Sequence, residues 1–314
     1  MAKGAFVNKK KKHKPKEAEK REKIAIIFQG GASRGAFQAG AMKYLEEKGI
    51  HPDMIIGSSI GVVNACLYAT GGIERMEEFW TGFRTNFLLP GISLSENIFM
   101  GNSLLSMKWW FRKIERYMDF DKILNSPIEI SFILTNLSHG SGELRSNRTE
   151  KTVRDMRIIS RIGYTIPGLY PPVRFKGDYW CDGGFVWNVP LEYALAGGAT
   201  RIYMLLCIGR KLPKQTSFSN IYQVLSRFYD VMWVHVGSGG VIQRNFAHEM
   251  YKGANIAIVE PTTYLGGFSM TNLFSFNPAK AREFIEEGYR DARDQLRLEQ
   301  RGRKQKGLSF SDRP

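Results

Sequence analysis

Two strand–turn–helix units follow one another between residues 24 and 72, and that order limits the fold more than any other feature of the chain. Ile24-Ala25-Ile26-Ile27-Phe28 is a continuous β-branched and aromatic run, the pattern of a strand buried on both faces. Gln29-Gly30-Gly31-Ala32-Ser33-Arg34-Gly35 breaks it with glycines. Residues 36–48 then supply helix formers, with Phe37, Gly40, Ala41, Tyr44 and Leu45 on one face and Gly49 as a C-cap. Asp53-Met54-Ile55-Ile56 is a second short strand, and residues 61–70 form a second helix closed by Gly71-Gly72. This alternation predicts an α/β fold on parallel strands with crossover helices. Both glycine-bearing turns then leave the carboxyl ends of parallel strands and share one rim, where open α/β sheets place ligands.

Further along, residues 128–136 and 201–208 read as strands, and Tyr179-Trp180-Cys181 ends another. Residues 218–251 read as mainly helical and residues 278–298 as an amphipathic helix. Charge is concentrated at the two ends. Of a formal net charge of +15, much comes from the lysine-rich stretch opening at Lys9-Lys10-Lys11-Lys12 and from Arg301, Arg303, Lys304 and Lys306. The expected organisation is a basic disordered tail over 1–23, one domain over 24–300 and a basic tail over 301–314. Such tails either stay solvated or rest on an anionic membrane, at about 1 kcal/mol per Lys or Arg near the surface. No specific nucleic acid is expected as a partner.

No apolar run reaches the roughly 20 residues of a membrane span, and no signal-length apolar stretch follows the basic N-terminus. Cys66, Cys181 and Cys207 are too scattered for a disulfide framework or a metal cluster. The expectation is a cytoplasmic protein, docking at most at the membrane periphery, with reduced thiols and neither metal nor cofactor. Nothing in the sequence sets its oligomeric state.

Gly57-Ser58-Ser59-Ile60-Gly61 has the G-x-S-x-G spacing of a nucleophile elbow, with Ser59 central. That chemistry needs a strained strand-to-helix turn, glycines where backbones crowd, and a helix N-terminus facing the negative charge of acyl attack. The first turn supplies the complement. Gly30, Gly31 and Ala32 can aim amides at an oxyanion, and losing one such donor costs about 3–4 kcal/mol. A nucleotide loop is the weaker reading, because the G-K-[ST] ending is missing and Ala32 interrupts a G-x-G-x-x-G pattern. A serine also needs a base. None of His13, His51, His139, His235 and His248 has a local context that marks it as one. Asp182 does: Asp182-Gly183-Gly184 follows an aromatic strand, and its glycines permit close approach to another loop. A plain turn aspartate is the competing reading.

These segments together resemble the patatin-like phospholipases. Residues 28–40 are similar to the family's glycine-rich loop, residues 57–65 to its nucleophile elbow, and residues 167–173 with 182–190 to its aspartate motif. The resemblance runs through nearly all of residues 24–295. It implies a three-layer α/β/α fold with a mostly parallel sheet. It also implies a lipid acyl hydrolase of phospholipase A or lysophospholipase type, working through a Ser59–Asp182 dyad without histidine. By the same resemblance the Gly30–Ala32 amides form the oxyanion hole, Gly35, Gly57, Gly61, Gly183 and Gly184 are motif glycines, and phospholipid or lysophospholipid is the substrate. Two roles are open to Arg34: anchoring the glycine loop, or meeting a lipid phosphate. Ala32 departs from the family's third glycine, and Tyr164 stands among residues that are usually small, where it is expected to narrow acyl entry.

An acyl chain needs an apolar channel, and residues 80–117 are its expected source. Met107-Lys108-Trp109-Trp110-Phe111-Arg112-Lys113 mixes tryptophan with basic residues, which fits a segment at a membrane interface as well as a cap packed on the core. Two rival readings stand beside the dyad: an esterase or thioesterase with a histidine triad, and a non-catalytic lipid- or nucleic-acid-binding protein.

Overall fold

In the computed structural model, which describes residues 21–85, 103, 108–209, 212–232, 234, 253–266 and 276–305, the first apolar run becomes β1 (Ile24–Phe28). A one-turn 3-10 helix (Ala32–Arg34) leads into α1 (Gly35–Glu47), then β2 (Met54–Gly57) and α2 (Ile60–Gly82). The helix expected to close at Gly71-Gly72 does lose helical geometry at both glycines, and a second helical stretch resumes after them. Gly72 takes φ 65°, and Met76, Phe79 and Trp80 carry the apolar pattern beyond the break.

Next come α3 (Lys108–Glu115), α4 (Phe120–Leu124), β3 (Glu129–Asn136), β4 (Ser141–Ser146) and α5 (Val153–Gly163). The chain continues through β5 (Val173–Phe175), β6 (Asp178–Asp182), α6 (Leu191–Ala196), β7 (Arg201–Leu205), α7 (Ile221–Met232), β8 (Asn255–Val259) and α8 (Pro278–Gln305). The last helix runs past the expected end at residue 298, carrying Arg301, Arg303 and Lys304 with it.

The sheet order is β5-β6-β3-β2-β1-β7-β8, with β4 paired to the other edge of β3. Pairing is parallel from β3 through β2, β1 and β7 to β8, and antiparallel for β4, β5 and β6. Side chains alternate between two cores. Ile26 and Phe28 join the helical layer of α1, α2, α5 and α8, while Ala25 and Ile27 join Leu191 and Ala194 of α6 on the opposite face. The architecture is α/β/α around a mostly parallel sheet, as expected.

One register detail places the site. β2 pairs with β3 only as far as Gly57 opposite Phe132. From Leu134 onward β6 takes over, running antiparallel, with Asp182 opposite Leu134. The carboxyl ends of β2 and β6 therefore meet beside β3, and the residues that follow each strand are brought together.

Candidate active site

Ser59 is the hinge between β2 and α2. It holds φ 54° and ψ −122°, a backbone conformation that a side chain rarely adopts, and it is 7% exposed. The flanking glycines are steric requirements. A Cβ on Gly57 would come within 2.5 Å of the Gly61 carbonyl oxygen, and one on Gly61 within 2.2 Å of the Phe28 carbonyl oxygen. The Ser58 amide donates to that same Phe28 oxygen at 3.1 Å, so the elbow is stitched to the end of β1. The first amides of α2 give the turn a partial positive charge.

Asp182 ends β6 fully buried. Its own amide donates to the Thr165 carbonyl at 2.9 Å, and the Thr135 hydroxyl donates to its carbonyl at 3.0 Å, so the backbone is held from two sides. Gly183 lies so close to β3 that a Cβ would meet the Ile133 oxygen at 2.3 Å, which explains the first glycine of Asp-Gly-Gly. One carboxylate oxygen, Oδ1, accepts from the Gly184 amide at 2.8 Å. The other, Oδ2, is buried without a partner in full hydrogen-bond geometry. Burial pushes the carboxyl up to about 7, against the opposing pull of the nearby Ser59 hydroxyl and the Gly184 amide.

The glycine loop differs in one respect from expectation. The Gly30 amide donates to Asn188 Oδ1 at 2.8 Å, and Asn188 Nδ2 returns a longer contact to the Gly30 carbonyl at 3.4 Å. Gly30 is thus committed to a buried side chain, which removes its amide from the oxyanion set. Its glycine identity has another cause, because a Cβ there would meet Asn188 Oδ1 at 2.5 Å and Ser59 Cβ at 2.7 Å. Gly31 and Ala32 line the cavity beside Ser59. Ala32 takes φ 54°, a left-handed conformation in which the glycine it replaces would be unstrained.

Arg34 is buried, with Nε donating to the Gly31 carbonyl at 2.9 Å and a terminal nitrogen donating to Gly266 O at 3.0 Å. Both contacts are those of a loop anchor. Behind the loop, Gln38 Nε2 donates to the Gln29 and Leu205 carbonyls. Asn64 Nδ2 donates to Gln38 and to the Gly35 carbonyl, and Trp80 Nε1 donates to Asn64. A satisfied buried network of this kind fixes β1, α1 and α2 relative to one another.

The polar groups share a cavity whose walls are mostly apolar. Ser59, Asp182, Gly31, Ala32 and Arg34 line it together with Ile60, Val63, Trp110, Ile114, Tyr164, Ile166, Tyr170, Phe185 and Phe276. Trp110 and Phe111 pack on the core, Trp110 against Phe83 and Phe276 and Phe111 against Tyr164. Tyr164 is a buried wall residue, as its position in the sequence suggested. Among the five histidines only His51 and His139 lie within the described residues, and neither lines the cavity. His139 faces Asp178 at the surface, at 3.5 Å.

The motif order and this geometry point to one family. Its model, described as patatin-like phospholipase, matches residues 26–195, more than half of the chain, and spans the glycine loop, Ser59, Asp182 and Asn188. The chain belongs to the patatin-like phospholipase family. This patatin-like chain is 29% identical over 182 residues to a patatin-like phospholipase domain-containing protein of Caenorhabditis elegans, covering 56% of this chain and 16% of that protein. It is 28% identical over 200 residues to a lysophospholipase of Aspergillus terreus, with 57% and 12% covered. To human patatin-like phospholipase domain-containing protein 6 it is 25% identical over 183 residues, with 57% and 13% covered. The match thus spans less than a fifth of each relative's length. Among solved structures, VipD from Legionella pneumophila aligns with 88% of this chain and 67% of its own, at 13% identity and a TM-score of 0.41.

Asn188, within the 182–190 segment, is a site residue to which the sequence alone assigns no role. No local signal in the sequence links it to Gly30, because the two are 158 residues apart.

Proposed function

We propose that this patatin-like protein hydrolyses carboxylic ester bonds of phospholipids or lysophospholipids through Ser59 and Asp182. The observation that carries the reading is the meeting of Ser59 with a buried carboxyl, raised to about 7, in a cavity with mostly apolar walls. Asp182 takes the Ser59 proton as the oxygen attacks the acyl carbonyl. Negative charge then develops on the carbonyl oxygen, and the amides of Gly31 and Ala32 supply donors beside it, with the α2 N-terminus adding its field. Collapse expels the alcohol, which leaves with the proton held by Asp182, and the acyl group stays on Ser59. Water attacks that ester, Asp182 takes its proton, and Ser59 recovers one as the fatty acid departs. Arg34 holds the Gly31 carbonyl so that the loop keeps its direction.

The lipid assignment draws on the walls. Tyr164, Ile166, Tyr170 and Phe276 offer an acyl chain apolar surface, and burying a chain there is worth about 0.8 kcal/mol per methylene. We assign the catalytic unit to residues 24–300, with the lysine-rich N-terminus outside it.

Purified protein assayed against phospholipids, lysophospholipids and triacylglycerols settles the substrate class. Ser59→Ala and Asp182→Asn are each expected to lower kcat by about 10³-fold or more while the variants remain folded. A fluorophosphonate should label Ser59. Wild-type turnover in either variant, or in its place loss of turnover in a folded His235 or His248 variant, would overturn the dyad.

A further inference from the structure

Helix α7 is built inside out. At about 100° per residue, Ile221, Val224, Leu225, Phe228 and Val231 share one face. All five are exposed, from 39% at Val231 to 71% at Ile221. Asp230 lies on the opposite face and is buried, and its carboxylate accepts from the Tyr264 hydroxyl at 3.4 Å. A helix whose outer face meets only water carries these two sets the other way round. The apolar strip extends beyond the helix to Phe218, which is 49% exposed.

The strip adjoins the active-site cavity. Met232, at the end of α7, packs in one cluster with Phe185, Cys207 and Ile208. Phe185 lines the cavity that holds Ser59, and Cys207 lies against Gly31 of the glycine loop. Apart from one buried acid, charge on this stretch has one sign. Over residues 209–232 the chain carries Arg210, Lys211, Lys214 and Arg227, and its single acid is the buried Asp230.

We propose that the apolar face of α7 inserts into the interfacial region of an anionic lipid surface and seats the cavity mouth on it. The inference rests on the lipid-ester reading of the Ser59 cavity. A lipid surface fits all three observations at once: an outward apolar face, cations with no exposed acid among them, and continuity with the wall of an apolar cavity. Insertion at that point shortens the path of an acyl chain from the membrane to Ser59.

The test uses the full chain carrying Ser59→Ala, so that binding is read without turnover. Its flotation is measured with phosphatidylcholine vesicles, with and without phosphatidylglycerol. Ile221→Glu and Leu225→Glu alter exposed side chains, and each is expected to lower partitioning by about tenfold or more. With Ser59 intact, the same two variants should hydrolyse a short-chain ester dissolved in water at the wild-type rate, which also reports a sound fold. The proposal is overturned if the variants float like their parent, or if the parent does not bind vesicles. It is also overturned if light scattering finds a dimer that the substitutions dissociate, since the face then belongs to a second copy. The two readings fail separately. Vesicle binding that needs α7 in a protein without esterase activity removes the enzyme reading alone, and turnover of lipid indifferent to α7 removes the docking alone.

Discussion

At the scale of single residues, Asp182 sets activity against stability. To accept the Ser59 proton in the proposed mechanism it must be ionised, yet its surroundings raise its carboxyl from an ordinary 3.8 to about 7. Between those values the folded protein binds more protons than the unfolded chain. The stabilisation is therefore full below about pH 4 and is lost as pH rises through about 7. Two measurements follow. Turnover of a soluble ester should rise about tenfold per pH unit below 7 and flatten above it. Urea unfolding should show Asp182→Asn gaining on the wild type by up to about 4 kcal/mol between pH 4 and pH 8, because asparagine has no charge to bury. The change in the gap is the test, since any cost of seating the amide applies at both pH values. A gap that stays constant would mean that Asp182 is not the buried titrating group. Ser59 and Asp182 were legible in the sequence because each sits in a local pattern of glycines around a strand end. The bond from Gly30 to Asn188 was not legible, since its partners are 158 residues apart and neither residue signals the other.

At the scale of elements, α1 and α8 cross through two glycines. A Cβ on Gly40 would lie 1.8 Å from the Ile285 carbonyl oxygen, and one on Gly288 would lie 1.9 Å from the Phe37 carbonyl oxygen. Alanine at Gly288 would gain about 1 kcal/mol of helix propensity. Overpacking costs about 1–3 kcal/mol, and the upper part of that range applies because the obstacle is backbone rather than a flexible side chain. The clash wins. Gly288→Ala is expected to lose about 2 kcal/mol and to lower Tm by about 4–8 °C in a circular dichroism melt. An unchanged or higher Tm would mean that the two helices separate freely. The apolar face of α1, including Gly40, was readable from its 3.6-residue period, and so was α8 as far as residue 298. The continuation of α2 beyond Gly71-Gly72 was not, because paired glycines signal a stop whether the chain ends a helix or turns and resumes it. The antiparallel strands β4 and β5 escaped for another reason. Ser141–Ser146 is only half-buried and polar, and Val173–Phe175 spans three residues, so neither shows an apolar run.

At the scale of the whole molecule, the sequence announced parallel strands but not their order. Ser59 and Asp182 meet because β2 and β6 share one edge of β3 in succession, and strand length in that register decides the meeting. Among the described residues no helix is long and apolar enough to cross a membrane, and the contacts proposed with a bilayer are surface features. Two of these have different physics. The α7 face acts through burial of apolar area, which salt does not screen. The lysines near the N-terminus would act through charge, which salt screens over about 8 Å at physiological ionic strength. Changing Lys9, Lys10, Lys11 and Lys12 to Gln in the full chain removes four of the net +15 charges. On phosphatidylglycerol-containing vesicles at low salt this should weaken binding by up to about 4 kcal/mol, and the loss should shrink as salt rises. The loss caused by Leu225→Glu should change much less across the same series. Lysine variants that bind anionic vesicles like the wild type at low salt would show that this tail is a solvated extension and that docking falls to the folded domain alone.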